Sequence, residues 1–143
     1  MNIAIVGATG NVGRKIIEVL ENKSFPVDNL YLVASSKSAG SKLKFKGKEI
    51  EVENLETFDF SKSEITFFSA GGKISEKYAP LAAKHSLVID NSSYFRMDPD
   101  VPLIVPEVNS HDLKNYKKKN IIANANCSVI PLVVALKPLH DLY

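Results

Sequence analysis

The chain has 143 residues, 45% of them apolar and 24% charged, the balance of an ordinary soluble globular domain with room for one hydrophobic core. A formal net charge of +2 is too small to suggest nucleic acid or a membrane surface as a partner. The lone cysteine excludes an internal disulfide and fits a reducing, cytoplasmic setting; no apolar run reaches the ~18 residues of a membrane helix, and the N-terminus lacks the basic start of a signal peptide.

Ile3 to Val6 is an apolar run of the kind buried on both faces of a parallel sheet. The stretch Gly7 to Gly13 breaks it. Val12, Ile16, Ile17 and Leu20 then recur at helical spacing and predict a helix over 11–22, closed by Pro26. Leu30 to Ala34 reads as a second strand, completing a strand–helix–strand unit. Leu43 to Val52 alternates charged and apolar residues around Gly47, the pattern of an edge hairpin. Ile65 to Phe68 is again strand-like. A helix over about 75–84, with Tyr78, Leu81 and Ala82 inward, leads to a strand over 87–89. From Asp90 to Val105 runs a long loop holding Pro99 and Pro102, a length that is often functional. Lys117 to Lys119 reads as a solvated turn before a last strand over 121–123, and an apolar helix follows from about Ser128. Alternating strands and helices imply an α/β domain with a doubly wound, mostly parallel, Rossmann-like sheet.

The turn after the first strand carries the candidate cofactor site. Unpaired N–H groups and the dipole at a helix N-terminus attract a phosphate, and glycines let it approach the backbone. Gly7, Gly10 and Gly13 have the spacing G-x-x-G-x-x-G rather than the usual G-x-G-x-x-G. An NAD-specific domain places an acid at the end of the second strand to hold the ribose. Here the residues are Ser35, Ser36, Lys37 and Ser38, hydroxyls and a cation suited to a 2′-phosphate, so NADP is favoured over NAD.

Cys127 follows Asn124-Ala125-Asn126 and precedes Pro131, which is tolerable only near a helix start. A thiol there, at the carboxyl end of a strand, lies where the helix dipole favours the thiolate and where ligands bind. The competing reading is a small buried hydrophobe. In Asn91-Ser92-Ser93-Tyr94-Phe95-Arg96, two hydroxyls and a guanidinium follow another strand end, and Arg96 could hold a phosphate in bidentate fashion.

Taken together, these motifs resemble aspartate-semialdehyde dehydrogenase of the bacterial kind. The likeness adds Phe67 to Gly72 and Val101 to Asn109, and runs in order over the whole chain. It implies an oxidoreductase of lysine, methionine, threonine and diaminopimelate biosynthesis that reductively dephosphorylates L-aspartyl-4-phosphate to aspartate semialdehyde through a cysteine thioester. By the resemblance, Cys127 is the nucleophile, and Arg96, Asn126 and Ser93 serve the substrate and its phosphate. Gly7, Thr9, Gly10, Asn11 and Val12 meet the diphosphate, Ser35, Lys37 and Ser38 the 2′-phosphate, and Ala70 and Gly71 the nicotinamide side. Two departures stand out: Lys37 replaces an arginine common in relatives, and Ala125 replaces a proline. No metal is implied.

The resemblance further implies a second domain for substrate binding and dimerisation, bearing the acid/base histidine and a carboxylate-binding arginine. Residues 1–126 are then the NADP-binding domain, and 127–143 the cysteine and the helix leading onward. The chain is expected to be an N-terminal fragment, inactive alone, of a homodimer. Neither His85 nor His111 matches a family motif, and His140 would lie about 20 Å from the thiol along a continuous helix, too far to be the proton shuttle. A stand-alone NADP-binding module, or the related N-acetyl-glutamyl-phosphate reductase, are the alternative readings.

Overall fold

A computed structural model describes residues 1–143. Its centre is an eight-stranded sheet of β1 (Asn2–Val6), β2 (Asn29–Ala34), β3 (Lys42–Phe45), β4 (Lys48–Asn54), β5 (Ile65–Phe68), β6 (Leu87–Asp90), β7 (Leu103–Ile104) and β8 (Ile121–Asn124). The spatial order is β3-β4-β2-β1-β5-β6-β8-β7, and every neighbouring pair is parallel except the β3–β4 hairpin at one edge. From β1 the chain moves to one side to make β2 and later to the other to make β5. The sheet therefore reverses its winding between β1 and β5, and a crevice opens there at the carboxyl ends of the strands.

Two cores flank the sheet. On one face α1 (Asn11–Asn22) sends Ile17 and Leu20 against Ile3, Ile5, Leu30, Leu32 and Val52. On the other, α2 (Gly72–Ala82) sends Ala79 and Ala82 against Phe68, Val88, Ile121 and Ala123. The first face is only partly covered. Phe67, Ile89 and Ile122 sit side by side on β5, β6 and β8 and are half-buried, and Ile89 and Ile122 pack into neither core.

The helices differ from the sequence reading in instructive ways. α2 begins at Gly72 rather than near residue 75, and its inward face is Ser75, Ala79 and Ala82; Leu81 is 45% exposed. Small residues let α2 lie close to the sheet, which leaves Leu81 no place inside. On α1 the inward stripe is Gly13, Ile17 and Leu20, and Val12 is 51% exposed, because Gly13 packs onto the turn that precedes it. The predicted long loop contains a 3₁₀ turn over Tyr94–Met97 and the short strand β7. A short helix α3 (Pro106–Asn109) runs into 3₁₀ turns over Ser110–Lys118. Lys118 and Lys119 are not merely solvated: they pair with Asp100 at 3.0 Å and Asp98 at 2.6 Å, pinning the loop to the start of β8. The last helix, α4 (Val129–Leu142), continues through Pro138 and leaves Leu132, Leu136 and Leu139 exposed.

Candidate active site

The β1–α1 turn is shaped by contacts that only glycine permits. Gly7 has φ +87°, and a Cβ on it would stand 2.8 Å from the Ser69 carbonyl carbon, so the ends of β1 and β5 approach backbone to backbone. A Cβ on Gly13 would stand 2.2 Å from the Gly7 oxygen, which brings α1 down onto the turn. Gly10 is different. Its added Cβ would meet only the Gly7 oxygen, at 3.4 Å, so the protein itself has room for a side chain there. Gly10 gives α1 no side-chain cap, and the first turn of α1 has no acid; the same holds for Gly71 and α2. Two helix N-termini thus leave N–H groups without side-chain partners at one sheet edge. Arg14 braces the turn by donating its Nε–H to the Thr9 carbonyl at 3.0 Å.

A cavity of about 290 Å³ lies in the crevice, lined by Gly7, Thr9, Gly10, Ser35, Ser69 and Ala70 with Val6, Ala34, Leu55 and Ile74. Beyond its Ser35 wall the chain turns tightly, Ser38 and Ala39 both donating N–H to the Ser35 carbonyl. Lys37 is exposed on this turn and Ser38 is half-buried. No carboxylate occurs between Ala34 and Ser41.

Along the same edge, three strand steps from β1, stand the residues after β8. At ~4.8 Å per step this is about 14 Å. Ala125 is buried, and Asn126, Cys127 and Ser128 are exposed. Asn126 opens α4: its side-chain oxygen accepts from the Ser128 N–H at 2.9 Å, and its carbonyl from Val129 and Ile130. The Cys127 Sγ lies 3.9 Å from that same side-chain oxygen. Arg96 is half-buried, donating Nε–H to the Asn124 carbonyl at 3.0 Å and an Nη2–H to the Asn91 carbonyl at 3.1 Å. Asn124 in turn donates to the Asn91 side-chain oxygen at 2.7 Å. Ser93 is exposed on the same loop. Tyr94 donates its hydroxyl to Glu76 of α2 at 3.0 Å, and that bond holds the phenol above its ordinary range. Uncapped helix ends, a crevice at the winding reversal and an exposed thiol thus stand along one edge of the sheet.

Comparison with known proteins agrees with this geometry. Residues 2–116 match the family described as semialdehyde dehydrogenase, NAD binding domain. The chain belongs to the semialdehyde dehydrogenase family. It is 58% identical to the aspartate-semialdehyde dehydrogenase of Aquifex aeolicus over 141 residues, which are 97% of this chain and 42% of that protein. Its fold superposes with a TM-score of 0.96 and 52% identity on a crystal structure of aspartate-semialdehyde dehydrogenase II from Vibrio cholerae complexed with ASA, covering 98% of this chain and 46% of that one. A structure of the Candida albicans aspartate-semialdehyde dehydrogenase with NADP superposes at 0.73 with 28% identity, over 99% of this chain and 47% of that one. The chain thus spans less than half the length of these semialdehyde dehydrogenases.

Within this semialdehyde dehydrogenase domain, Gly7, Thr9, Gly10, Ser35 and Ala70 line one cavity. Asn11 and Val12, in the first turn of α1, and Gly71, just before α2, do not line it. Asn126 and Cys127 lie apart from it, after β8, and Arg96, after β6, is tied to Asn124 at the end of β8. Sequence reasoning missed Arg14, Leu55, Ser69 and Ile74. Ser69 lies within a recognised motif and Ile74 two residues past it, and Arg14 follows Gly13; Leu55 carries no local signal, since only the β2–β4 pairing brings it to Ala34.

Proposed function

We propose that this chain is the NADP-binding, nucleophile-bearing part of an aspartate-semialdehyde dehydrogenase, handling L-aspartyl-4-phosphate and aspartate semialdehyde. One observation carries the reading: Cys127 is exposed at the sheet edge that holds the glycine turn, and Arg96 is tied to the main chain three residues before it.

The residues present fit a dinucleotide phosphate. Uncapped N–H groups at α1 and α2 suit the diphosphate, and the open space at Gly10 is a cradle that a side chain would fill. Ser35, Lys37 and Ser38, with no acid among them, suit a 2′-phosphate. When bound, NADPH supplies the hydride that such a reduction needs. The chain's own residues do the rest. Cys127 attacks the acyl carbon and forms a thioester as the carbon–phosphate oxygen bond breaks. Arg96 spends two of its five N–H donors on carbonyls, which fixes its plane and leaves the others for the departing phosphate. Asn126 steadies the turn that carries the thiol.

Neither His140 nor His85 is placed to move a proton at Cys127. His140 lies about 20 Å along α4, by ~1.5 Å per residue. His85 precedes β6 and so sits at the opposite, amino-terminal edge of the sheet. We therefore expect dinucleotide and acyl-phosphate chemistry to be separable here, with steady turnover needing residues that the longer relatives possess.

The test is titration of the purified chain with NADP⁺ and NAD⁺ by calorimetry, followed by iodoacetamide labelling of Cys127 with and without NADP⁺. Tighter binding of NADP⁺ and slower labelling in its presence support the proposal. Labelling that ignores saturating NADP⁺, or no dinucleotide binding at all, overturns it.

A further inference from the structure

Asp90, the last residue of β6, is wholly buried, and its carboxylate is met by hydroxyl and main-chain donors. Oδ1 accepts from the Ser75 hydroxyl at 2.8 Å and the Ser92 N–H at 2.9 Å, and Oδ2 accepts from the Ser92 hydroxyl at 2.7 Å. Burying a carboxylate is costly, and hydrogen bonds of this kind are what make it tolerable. The partners come from two different places. Ser75 lies in the first turn of α2, just beyond Ala70 and Gly71, and is itself wholly buried. Ser92 belongs to the loop that carries Arg96. Its hydroxyl also accepts from the Tyr94 N–H at 3.2 Å, and the Tyr94 hydroxyl returns to Glu76 of α2. Asn91, the neighbour of Asp90, accepts from the guanidinium at its carbonyl and from the Asn124 side chain at its Oδ1.

We propose that Asp90 is a positioning residue: bridging Ser75 and Ser92, it clamps the loop 91–96 to the start of α2 and thereby aims Arg96. The inference rests on the reading of Arg96 as the phosphate holder. It gives the cofactor side and the anion side of the cleft a single buried joint, although Asp90 itself touches neither ligand site. Ser75 is the informative partner. Its hydroxyl donates to Asp90 and bonds to no atom of Arg96 or of the loop, so the loss of that hydrogen bond reaches the guanidinium through Asp90.

The experiment titrates the ¹⁵N-labelled chain with inorganic phosphate and reads the Arg96 Nε–H resonance in wild type, S75A, D90A and D90N. Asparagine keeps the oxygen that accepts from Ser75 and from the Ser92 N–H, and its amide can donate to the Ser92 oxygen. The expected result is phosphate binding about tenfold weaker in S75A and D90A, the scale of one lost charge-assisted hydrogen bond. D90N should recover most of it, and amides of β1 and α1 should stay unmoved. Should D90A fail to fold, S75A and D90N decide. Wild-type affinity in S75A and D90A overturns the proposal while leaving Arg96 its role. A D90N as weak as D90A also overturns it, since charge rather than geometry would then matter. If the wild-type resonance ignores phosphate, the Arg96 reading falls and the positioning role with it.

Discussion

Arg96 donates its Nε–H to the carbonyl of Asn124 at 3.0 Å, so the guanidinium is anchored to the strand end that presents Cys127 three residues later. Through Asn91 the same side chain also joins the carboxyl ends of β6 and β8. A lysine keeps the charge but has no planar fork to bridge two carbonyls and face a ligand at once. Arg96→Lys should therefore lose about 1–3 kcal/mol of stability. Its phosphate affinity should fall at least tenfold. Denaturant melts and a phosphate titration check both; a lysine variant that binds phosphate like wild type would show that charge alone suffices.

The glycine turn separates structural from ligand-directed demand. At Gly7 a side chain meets backbone at 2.8 Å and a positive φ, so Gly7→Ala should cost at least ~2 kcal/mol. At Gly10 φ is −77° and the nearest atom stands at 3.4 Å. Gly10→Ala should stay within about 1 kcal/mol of wild type, the scale of an N-cap change, yet bind NADP⁺ markedly less well. Thermal melts paired with calorimetry give the answer, and equal losses of both properties at both sites would refute the division.

Lys37 is exposed and forms no hydrogen bond or ion pair within the chain, so its charge is free for a ligand. Lys37→Glu should leave stability within about 0.5 kcal/mol, as for a surface change away from contacts. NADP⁺ affinity should drop while NAD⁺ affinity holds or rises, because only the former brings a 2′-phosphate to the new carboxylate. Unchanged discrimination between the two would move the 2′-phosphate elsewhere.

What could be read before folding, and what could not, follows from the range of the interactions. Ile3 to Val6 announced β1 because a strand buried on both faces needs only apolar residues, and Gly47 announced the hairpin for a local reason. The inward face of α2 was opaque: Ser75, Ala79 and Ala82 make no apolar stripe, and the tempting Leu81 points outward. The 3₁₀ turns over Ser110–Lys118 have no apolar period to betray them. Cys127 and Arg96 were legible as types in suggestive settings. That they share a strand end is a fact of pairing, since β6 and β8 are neighbours although more than 30 residues apart in sequence.

The clamp between Asp98 and Lys119 predicts a pH signature. The Lys119 ammonium, 2.6 Å away, and then the Asp100 N–H hold the Asp98 carboxyl below its ordinary value, and Asp98 reciprocally raises Lys119. A carboxyl depressed on folding stabilises the native state fully above its unfolded value and loses that contribution as pH falls through the native one. Lys119→Met should thus be less stable than wild type at neutral pH, and the gap should close in acid as Asp98 protonates. Melts from neutral to strongly acidic pH measure it; a gap that persists undiminished in acid would mean that Lys119 stabilises by packing instead.

The half-covered sheet makes the last prediction, and it runs against side-chain size. Val88 and Ile89 are consecutive in β6 and point to opposite faces. Val88 is wholly buried with Phe68, Ala79 and Ala82, whereas Ile89 lies in the half-buried row between Phe67 and Ile122. Truncating Val88 to alanine removes fewer atoms but leaves a cavity that rigid neighbours cannot fill, at a cost of about 2–3 kcal/mol. Truncating Ile89 removes more, yet from a surface that water already reaches, so about 1 kcal/mol is expected. Chemical denaturation of the two variants settles the order. If Ile89→Ala proves the costlier, something covers that face in solution, and the row Phe67–Ile89–Ile122 is buried rather than open.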